Sequence, residues 1–336
     1  MTFNSAILLK PLLLALALGC LGTPAAPAQS LLPAATANTR VGQHNAGLPN
    51  GTPTITTSDG VILYTKVAGR GRPCVFVHGG PGVGSQSIEA LAGKGLEENL
   101  QMIYLDQRGS GRSASDPNKN YTLDRLVLDL DELRQQLHLE RWVVMSHSFG
   151  GLIATAYAQK YPQHVQGLIL VNSILSLPAS MESTATYGYT LLPTATRPPL
   201  DPAAPLPQRF GMVMGLLNQQ QLMSKLMYAN DSTEARLKKA TKGVAANRDF
   251  ATVLLQSGAI TGYLQDFAAA SASLNMPVLV LTGREDYVVG PDHYKSFRFP
   301  HQQVVVLPGK HVGMVENPKE TNGAIKAFVQ KLPRKG

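Results

Sequence analysis

Cysteine is almost missing from this 336-residue chain, which has only Cys20 and Cys74. Once a leader carrying Cys20 is removed, no internal disulfide can form and Cys74 is left as a core thiol. That excludes a disulfide scaffold and cysteine-based chemistry. Clusters of metal-ligating residues and a dinucleotide-binding glycine fingerprint are also missing, so no cofactor is expected. The net charge is +8 and the pI about 9.4. The basic residues are nevertheless dispersed, as in Lys238-Lys239 and Lys331…Arg334-Lys335, with no aromatic-interleaved stripe. Nucleic acid is therefore not an expected partner, and the charge reads as a solvated surface facing an anionic membrane or envelope. No internal repeat is present, and no apolar run is long enough to span a bilayer.

The longest apolar run, Leu12–Leu21, follows Met1–Lys10 with its single positive charge and precedes the small-residue site Ala26-Pro27-Ala28. This is the pattern of a secretory signal peptide over residues 1–28, with a secreted or periplasmic product and no stable membrane insertion after removal. A lipoprotein anchored at Cys20 is the alternative. Residues 29–52 are rich in Ala, Thr, Pro and Asn and read as a flexible linker.

From there the chain is long enough for one large core and an insertion. Thr54–Thr57 and Val61–Val67 alternate around Ser58-Asp59-Gly60 as an opening hairpin. Apolar runs at 74–78, 102–106, 142–146, 167–171, 277–282 and 303–307 alternate with helical segments. Continuously apolar strands imply a mostly parallel sheet buried on both faces, an α/β architecture. The core is placed at 53–172 and 275–336. Between them the strand rhythm stops, so 173–274 reads as an inserted helical cap or lid. Within it, Pro193–Pro207 holds six prolines and reads as irregular. Phe210–Tyr228 reads as one amphipathic helix carrying Met212, Met214, Met223 and Met227, with further helices at 232–246 and 249–271.

Chemistry centres on Ser146-His147-Ser148-Phe149-Gly150, between the strand-like Arg141–Met145 and the helix-like Gly151–Ala158. A serine on a sharp strand-to-helix turn between small neighbours is a nucleophile elbow. The turn lifts the Ser148 hydroxyl above the sheet edge, where the helix N-terminus favours negative charge. Ser146 stands where the usual pattern has glycine. Such a hydroxyl needs a base and the base needs an orienting carboxylate, in the chain order Ser, acid, His. Asp286, on the turn after the apolar run Met276–Leu281, is the chosen acid, with Glu285 as alternative. His311 follows the last strand on Pro308-Gly309-Lys310-His311 and is the base.

Seven other histidines fit less well. His44 lies in the N-terminal stretch, His138 and His164 sit beside helix ends, and His293 and His301 flank a predicted surface helix. His147 is turned away from the Ser148 hydroxyl, and His78 braces a glycine-rich loop. That loop, His78-Gly79-Gly80-Pro81-Gly82, follows the strand Cys74–Val77. It is placed to supply one oxyanion-hole amide, from Gly80 with Gly79 second, while Phe149 supplies the other.

With Asp106-Gln107-Arg108-Gly109-Ser110-Gly111-Arg112-Ser113 added, residues 52–332 resemble an α/β-hydrolase and, more narrowly, the proline iminopeptidase family. In those peptidases the elbow often reads Gly-Gly-Ser-Trp-Gly. The Asp106–Ser113 loop reads as scaffold, with Asp106 and Arg108 fastening loops at the sheet's catalytic edge. The resemblance implies an aminopeptidase acting on short peptides through an acyl-enzyme, with cap carboxylates holding the substrate ammonium. Glu182, Asp249 and Asp266 are the candidates for that role. Asp231 and Glu234 have capping spacing and read as structural. A carboxylesterase for small acyl esters is the alternative, suggested by the Met-rich cap. A non-enzymatic ligand receptor on the same fold ranks below both.

Overall fold

The computed structural model describes residues 48–333 except Thr196, Ala245 and Ser257. The signal segment 1–28 and most of the linker expected at 29–52 lie outside the described residues, as does His44. The described chain begins within the expected linker, where Gly51 exchanges both backbone hydrogen bonds with Val67 at 2.9 and 2.7 Å.

The opening hairpin is short, with β1 (Ile55–Thr56) antiparallel to β2 (Ile62–Leu63). Its continuation, β3 (Thr65–Gly69), leaves the hairpin and joins the main sheet. That sheet adds β4 (Arg72–Val77), β5 (Leu100–Leu105), β6 (Trp142–Ser148), β7 (Val165–Ser173), β8 (Val278–Gly283) and β9 (Gln302–Leu307). The strand order is β3-β5-β4-β6-β7-β8-β9. Only β3 runs antiparallel to its neighbour.

The apolar runs are continuous because both faces are covered. Val75, Val77, Val144, Leu168, Leu170 and Val280 point to one side. They meet α3 (Leu123–Gln136) and α4 (Gly150–Lys160) there through Leu126, Leu130, Leu152 and Ile153. Phe76, Met145, Ile169, Val171 and Leu281 point to the other side. That side is closed by α1 (Gln86–Leu91), α2 (Gly93–Leu96) and the C-terminal α12 (Pro318–Lys331) through Ile88, Leu96, Ile325 and Phe328. Each such side chain taken from water contributes roughly 1.5–3 kcal/mol before the entropic cost of ordering.

Between β7 and β8 the described chain is helical. It forms α5 (Leu177–Leu191), α6 (Leu206–Gln219), α7 (Met223–Met227), α8 (Asp231–Thr241), α9 (Asp249–Gln256) and α10 (Phe267–Ala270). Two expectations need correction. The helix expected at Phe210–Tyr228 is two helices, because Gln221 takes a left-handed φ of 56° between α6 and α7. The helix expected at 249–271 is broken by the 3₁₀ stretch Gly258–Leu264. α5 is stitched to the loop after β8: Ser180 Oγ donates to the Val288 carbonyl at 2.6 Å and Ser183 Oγ to that of Tyr287 at 2.9 Å. The remaining helix, α11 (Gly313–Glu316), begins one residue after His311, with Val312 between them.

Candidate active site

β6 ends at Ser148, whose φ of 54° lies in the left-handed region seldom used by residues with a Cβ. The turn into α4 is tight enough to dictate its neighbours. A Cβ on Gly150 would lie 2.2 Å from the Val77 carbonyl oxygen, and one on Gly79 would lie 2.7 Å from the Ser148 Cβ. Ser146 is accommodated where glycine is usual. It is fully buried, with its Oγ 2.9 Å from that of Ser173 on β7.

The structure brings Ser148, His311 and Asp286 together. His311 Nε2 lies 2.9 Å from Ser148 Oγ, and its Nδ1 lies 3.0 and 3.1 Å from the two carboxylate oxygens of Asp286. Neutral His311 therefore carries its proton on Nδ1, donating to Asp286, and accepts from the serine hydroxyl through Nε2. Asp286 is fully buried, whereas Glu285, the alternative acid, is exposed. Burial alone would raise the Asp286 pKa. His311 beside it, the Asn172 amide and the Val289 N–H outweigh burial and hold it below the usual range. Oδ1 also accepts from the N–H groups of Val288 and Val289 at 3.1 and 3.2 Å.

Asn172 went unnoticed in the sequence as a site residue. It is buried, sits at φ 45°, and donates through Nδ2 to Asp286 Oδ2 at 2.7 Å and to the Lys310 carbonyl at 3.2 Å. The signal was there in the residue type, since asparagine tolerates a left-handed conformation at a strand end. Nothing in the sequence says what its amide meets.

The oxyanion candidates lie on the two loops that meet at Ser148. Gly79 and Gly80 line it beside Ser148, and Gly80 has φ 121°. Phe149 begins the turn into α4 directly after the serine. His78 does brace this loop. Its Nδ1 donates to the Gly79 carbonyl at 2.7 Å, and its Nε2 accepts from the Gln107 N–H at 3.0 Å. Burial lowers its pKa, in keeping with that neutral form. Asp106 accepts from Ser85 N–H and Oγ at 2.7 Å each and from Arg112 Nε at 2.7 Å. Arg108, fully buried, pairs with Asp59, Asp116 and Asp129 at 2.9, 2.8 and 2.6 Å. Both residues thus fasten loops beside the site.

The other described histidines make contacts of their own. His147 Nε2 lies 2.9 Å from the His311 carbonyl oxygen and so donates to it. His164 lies 2.9 Å from Asp131, His138 ends α3 at φ 53°, and His301 is exposed. His293, expected to flank a surface helix, begins the 3₁₀ stretch His293–Ser296 and is buried, and its Nε2 accepts from the Leu175 N–H at 3.1 Å.

A cavity of about 190 Å³ opens over Ser148. Its cap-side wall carries Met223, Met227, Leu237 and Val244. None of the three carboxylates nominated for an ammonium lines it. Glu182 pairs with Arg209 at 2.7 Å and is half exposed. Asp249 pairs with Lys119 at 2.7 Å and accepts from the Tyr121 hydroxyl. Asp266 caps α10, accepting from Ala268 N–H at 2.9 Å. Instead Glu234 lines the cavity, and its expected capping role does not hold. The N-cap of α8 is Asn230, and Glu234 pairs with Lys238 at 2.6 Å. The spacing Glu234, Leu237, Thr241 is i, i+3, i+7, one helix face, and all three border the cavity.

The chain belongs to the α/β-hydrolase fold family, whose model matches residues 72–318. More particularly, it is similar to proline iminopeptidases. It is 36% identical to that of Saccharolobus solfataricus over 129 residues, 37% of this chain and 41% of the relative. It is 36% identical to that of Neisseria meningitidis serogroup A over 121 residues, 35% and 38% of the two chains. The match thus spans about two fifths of these relatives' length. Among solved structures, the proline iminopeptidase-related protein of Thermus thermophilus superimposes with a TM-score of 0.70 at 23% identity. That superposition covers 84% of this chain and 98% of the other. An esterase of Exiguobacterium antarcticum gives 0.61 at 18% identity, over 83% and 99%.

Proposed function

We propose that the chain is a cofactor-free serine hydrolase that works through an acyl-enzyme and releases the N-terminal residue of short peptides. The observation that carries this reading is the 2.9 Å contact of Ser148 Oγ with His311 Nε2, backed by Asp286, on the floor of the cavity. Ser148 attacks the carbonyl carbon while its proton passes to His311 Nε2. Asp286 stabilises the imidazolium, and the amides of Phe149 and Gly80 take the oxyanion. His311 then protonates the leaving amine, so the C–N bond breaks and the acyl-serine remains. Water, deprotonated by His311, releases the acid and restores the hydroxyl. The names of the relatives support the peptide substrate. Two carboxylates line the cavity: Asp106, which is taken up by Ser85 and Arg112, and Glu234, which pairs with Lys238 at the helix surface. Glu234 is the one proposed to face the free ammonium, since a buried charge needs a partner.

A carboxylesterase is the second reading. It is favoured by the engagement of Glu182, Asp249 and Asp266 elsewhere and by the apolar wall of Met223, Met227, Leu237 and Val244. The deciding experiment compares kcat/KM for proline p-nitroanilide, its N-acetylated form and p-nitrophenyl butyrate. A strong preference for the free-amine anilide is expected, and cleavage of the ester alone would establish the esterase. We also propose export after removal of residues 1–28. A mature N-terminus found at Gln29 by mass spectrometry would support it, and a lipid-modified Cys20 would replace it with the anchored form.

A further inference from the structure

The segment that walls the cavity also holds the loop carrying His311. Met223, Ser224, Met227, Tyr228 and Glu234 border the cavity. From the same stretch, the Met227 carbonyl accepts from the His311 N–H at 3.1 Å and the Lys225 carbonyl from Lys310 Nζ. Two further bonds converge on one side chain. Glu316 Oε1 accepts from the Ala229 N–H at 2.9 Å and from Thr233 Oγ1 at 2.9 Å. Thr233 is fully buried, and Glu316 Oε2 is buried without a hydrogen-bond partner among the described residues. Glu316 is linked rigidly to the base. It ends α11, where its own N–H and that of Val315 bond back to the Val312 carbonyl, the residue after His311.

We propose that Glu316 is a positioning residue that latches the cap to the His311 loop, so that the seated cap sets the Ser148–His311 geometry. The proposal rests on the reading of Ser148, His311 and Asp286 as the catalytic relay. A carboxylate with one unpartnered buried oxygen carries a larger desolvation penalty than two neutral donors require. What it adds is strength, because bonds to an ionised acceptor are about twice as strong as neutral ones. The bonds run between two separate elements, so they report whether the cap is seated. A cap that lifts from Glu316 frees the His311 loop from the wall that should meet the substrate.

The test uses the full chain and a small fluorophosphonate, which reacts with Ser148 whatever the natural substrate is. The serine oxygen bonds to phosphorus, fluoride leaves, and the serine proton passes to His311. Rates are normalised to folded protein, and the pH midpoint of labelling is recorded, which a merely structural role would not move. Glu316→Ala is expected to slow labelling about 10- to 100-fold and to displace the midpoint, because small misplacements of a reacting group cost up to that much. Glu316→Gln, which keeps the Oε1 acceptor, is expected to stay within about 5-fold of the parent, as its bonds lose only the charge-assisted part. Thr233→Val, which keeps Glu316 but removes one donor, should slow labelling about 3- to 10-fold, the equivalent of one hydrogen bond. It serves if Glu316→Ala does not fold. Parent-like rates and midpoints in Glu316→Ala or Thr233→Val overturn the latch. Parent-like labelling of Ser148→Ala would instead overturn the relay beneath it.

Discussion

Replacing Asn172 separates the two things that residue does. Its amide orients Asp286 through a 2.7 Å bond to a buried carboxylate, and its backbone occupies φ 45°. Hydrogen bonds to charged groups are worth about 1.5–3 kcal/mol, and the weaker bond to the Lys310 carbonyl adds about 1 kcal/mol. Asn172→Gly removes both bonds and keeps the backbone relaxed, so a loss of about 2–4 kcal/mol of stability is expected. Asn172→Ala loses the same bonds and also places a Cβ in the left-handed region, costing about 1–2 kcal/mol more. Urea titration of both variants reads this difference directly. Turnover should behave otherwise. Both variants lose the same support for Asp286, so both should show the same fall in kcat, about 10- to 100-fold. If Asn172→Gly turned over at the parent rate, or if kcat followed stability and differed between the two, the amide would have no part in orienting Asp286.

Other outcomes follow from single contacts. Gly150→Ala puts a Cβ 2.2 Å from the Val77 carbonyl oxygen, a backbone atom that cannot swing away. A loss of about 3 kcal/mol or more is expected, and a urea midpoint equal to the parent's would refute the packing of the elbow. His293 is pushed down to about 4 from 6.5, chiefly by burial. As pH falls through that window the unfolded chain takes up the proton first, so stability is present above pH 6.5 and lost toward pH 4. The loss is about 1.4 kcal/mol per pH unit for this residue, and His293→Gln should flatten the dependence. Equal pH slopes in both proteins would refute it. Glu182→Gln, Asp249→Asn and Asp266→Asn should leave kcat/KM on a free-amine substrate within about 3-fold, whereas Glu234→Gln should raise KM about 10-fold, as expected for removing one partner of a charge. The reverse pattern would return the ammonium site to one of the first three.

The sheet and the meeting of Ser148, His311 and Asp286 were legible because each rests on short-range rules. Strands such as Val165–Ser173 are buried at every position because two helical layers cover them, and the apolar run Leu168–Val171 within this one is visible in the sequence. Ser148, Asp286 and His311 stand out because Ser148 ends a strand, the other two lie on the loops that follow strands, and their order is fixed by the fold. The cap was less legible. Gln221 breaks a helix through one backbone angle with no glycine or proline to announce it. Charged cap residues carried no sign of their partners: Arg209 for Glu182 and Lys119 for Asp249 are distant in sequence. Glu234 read as a capping residue because capping spacing and one-face spacing coincide at the start of a helix. His293 looked like surface because its burial depends on Leu175, a residue from another element.

The most direct test of the account is acid-quenched intact-mass analysis of the protein during turnover of p-nitrophenyl butyrate, followed by peptide mapping. The account predicts an initial burst of nitrophenolate and a butyryl group on Ser148, both lost in Ser148→Ala while its urea midpoint stays at the parent value. Turnover without any adduct, or an adduct that persists in Ser148→Ala, would contradict it.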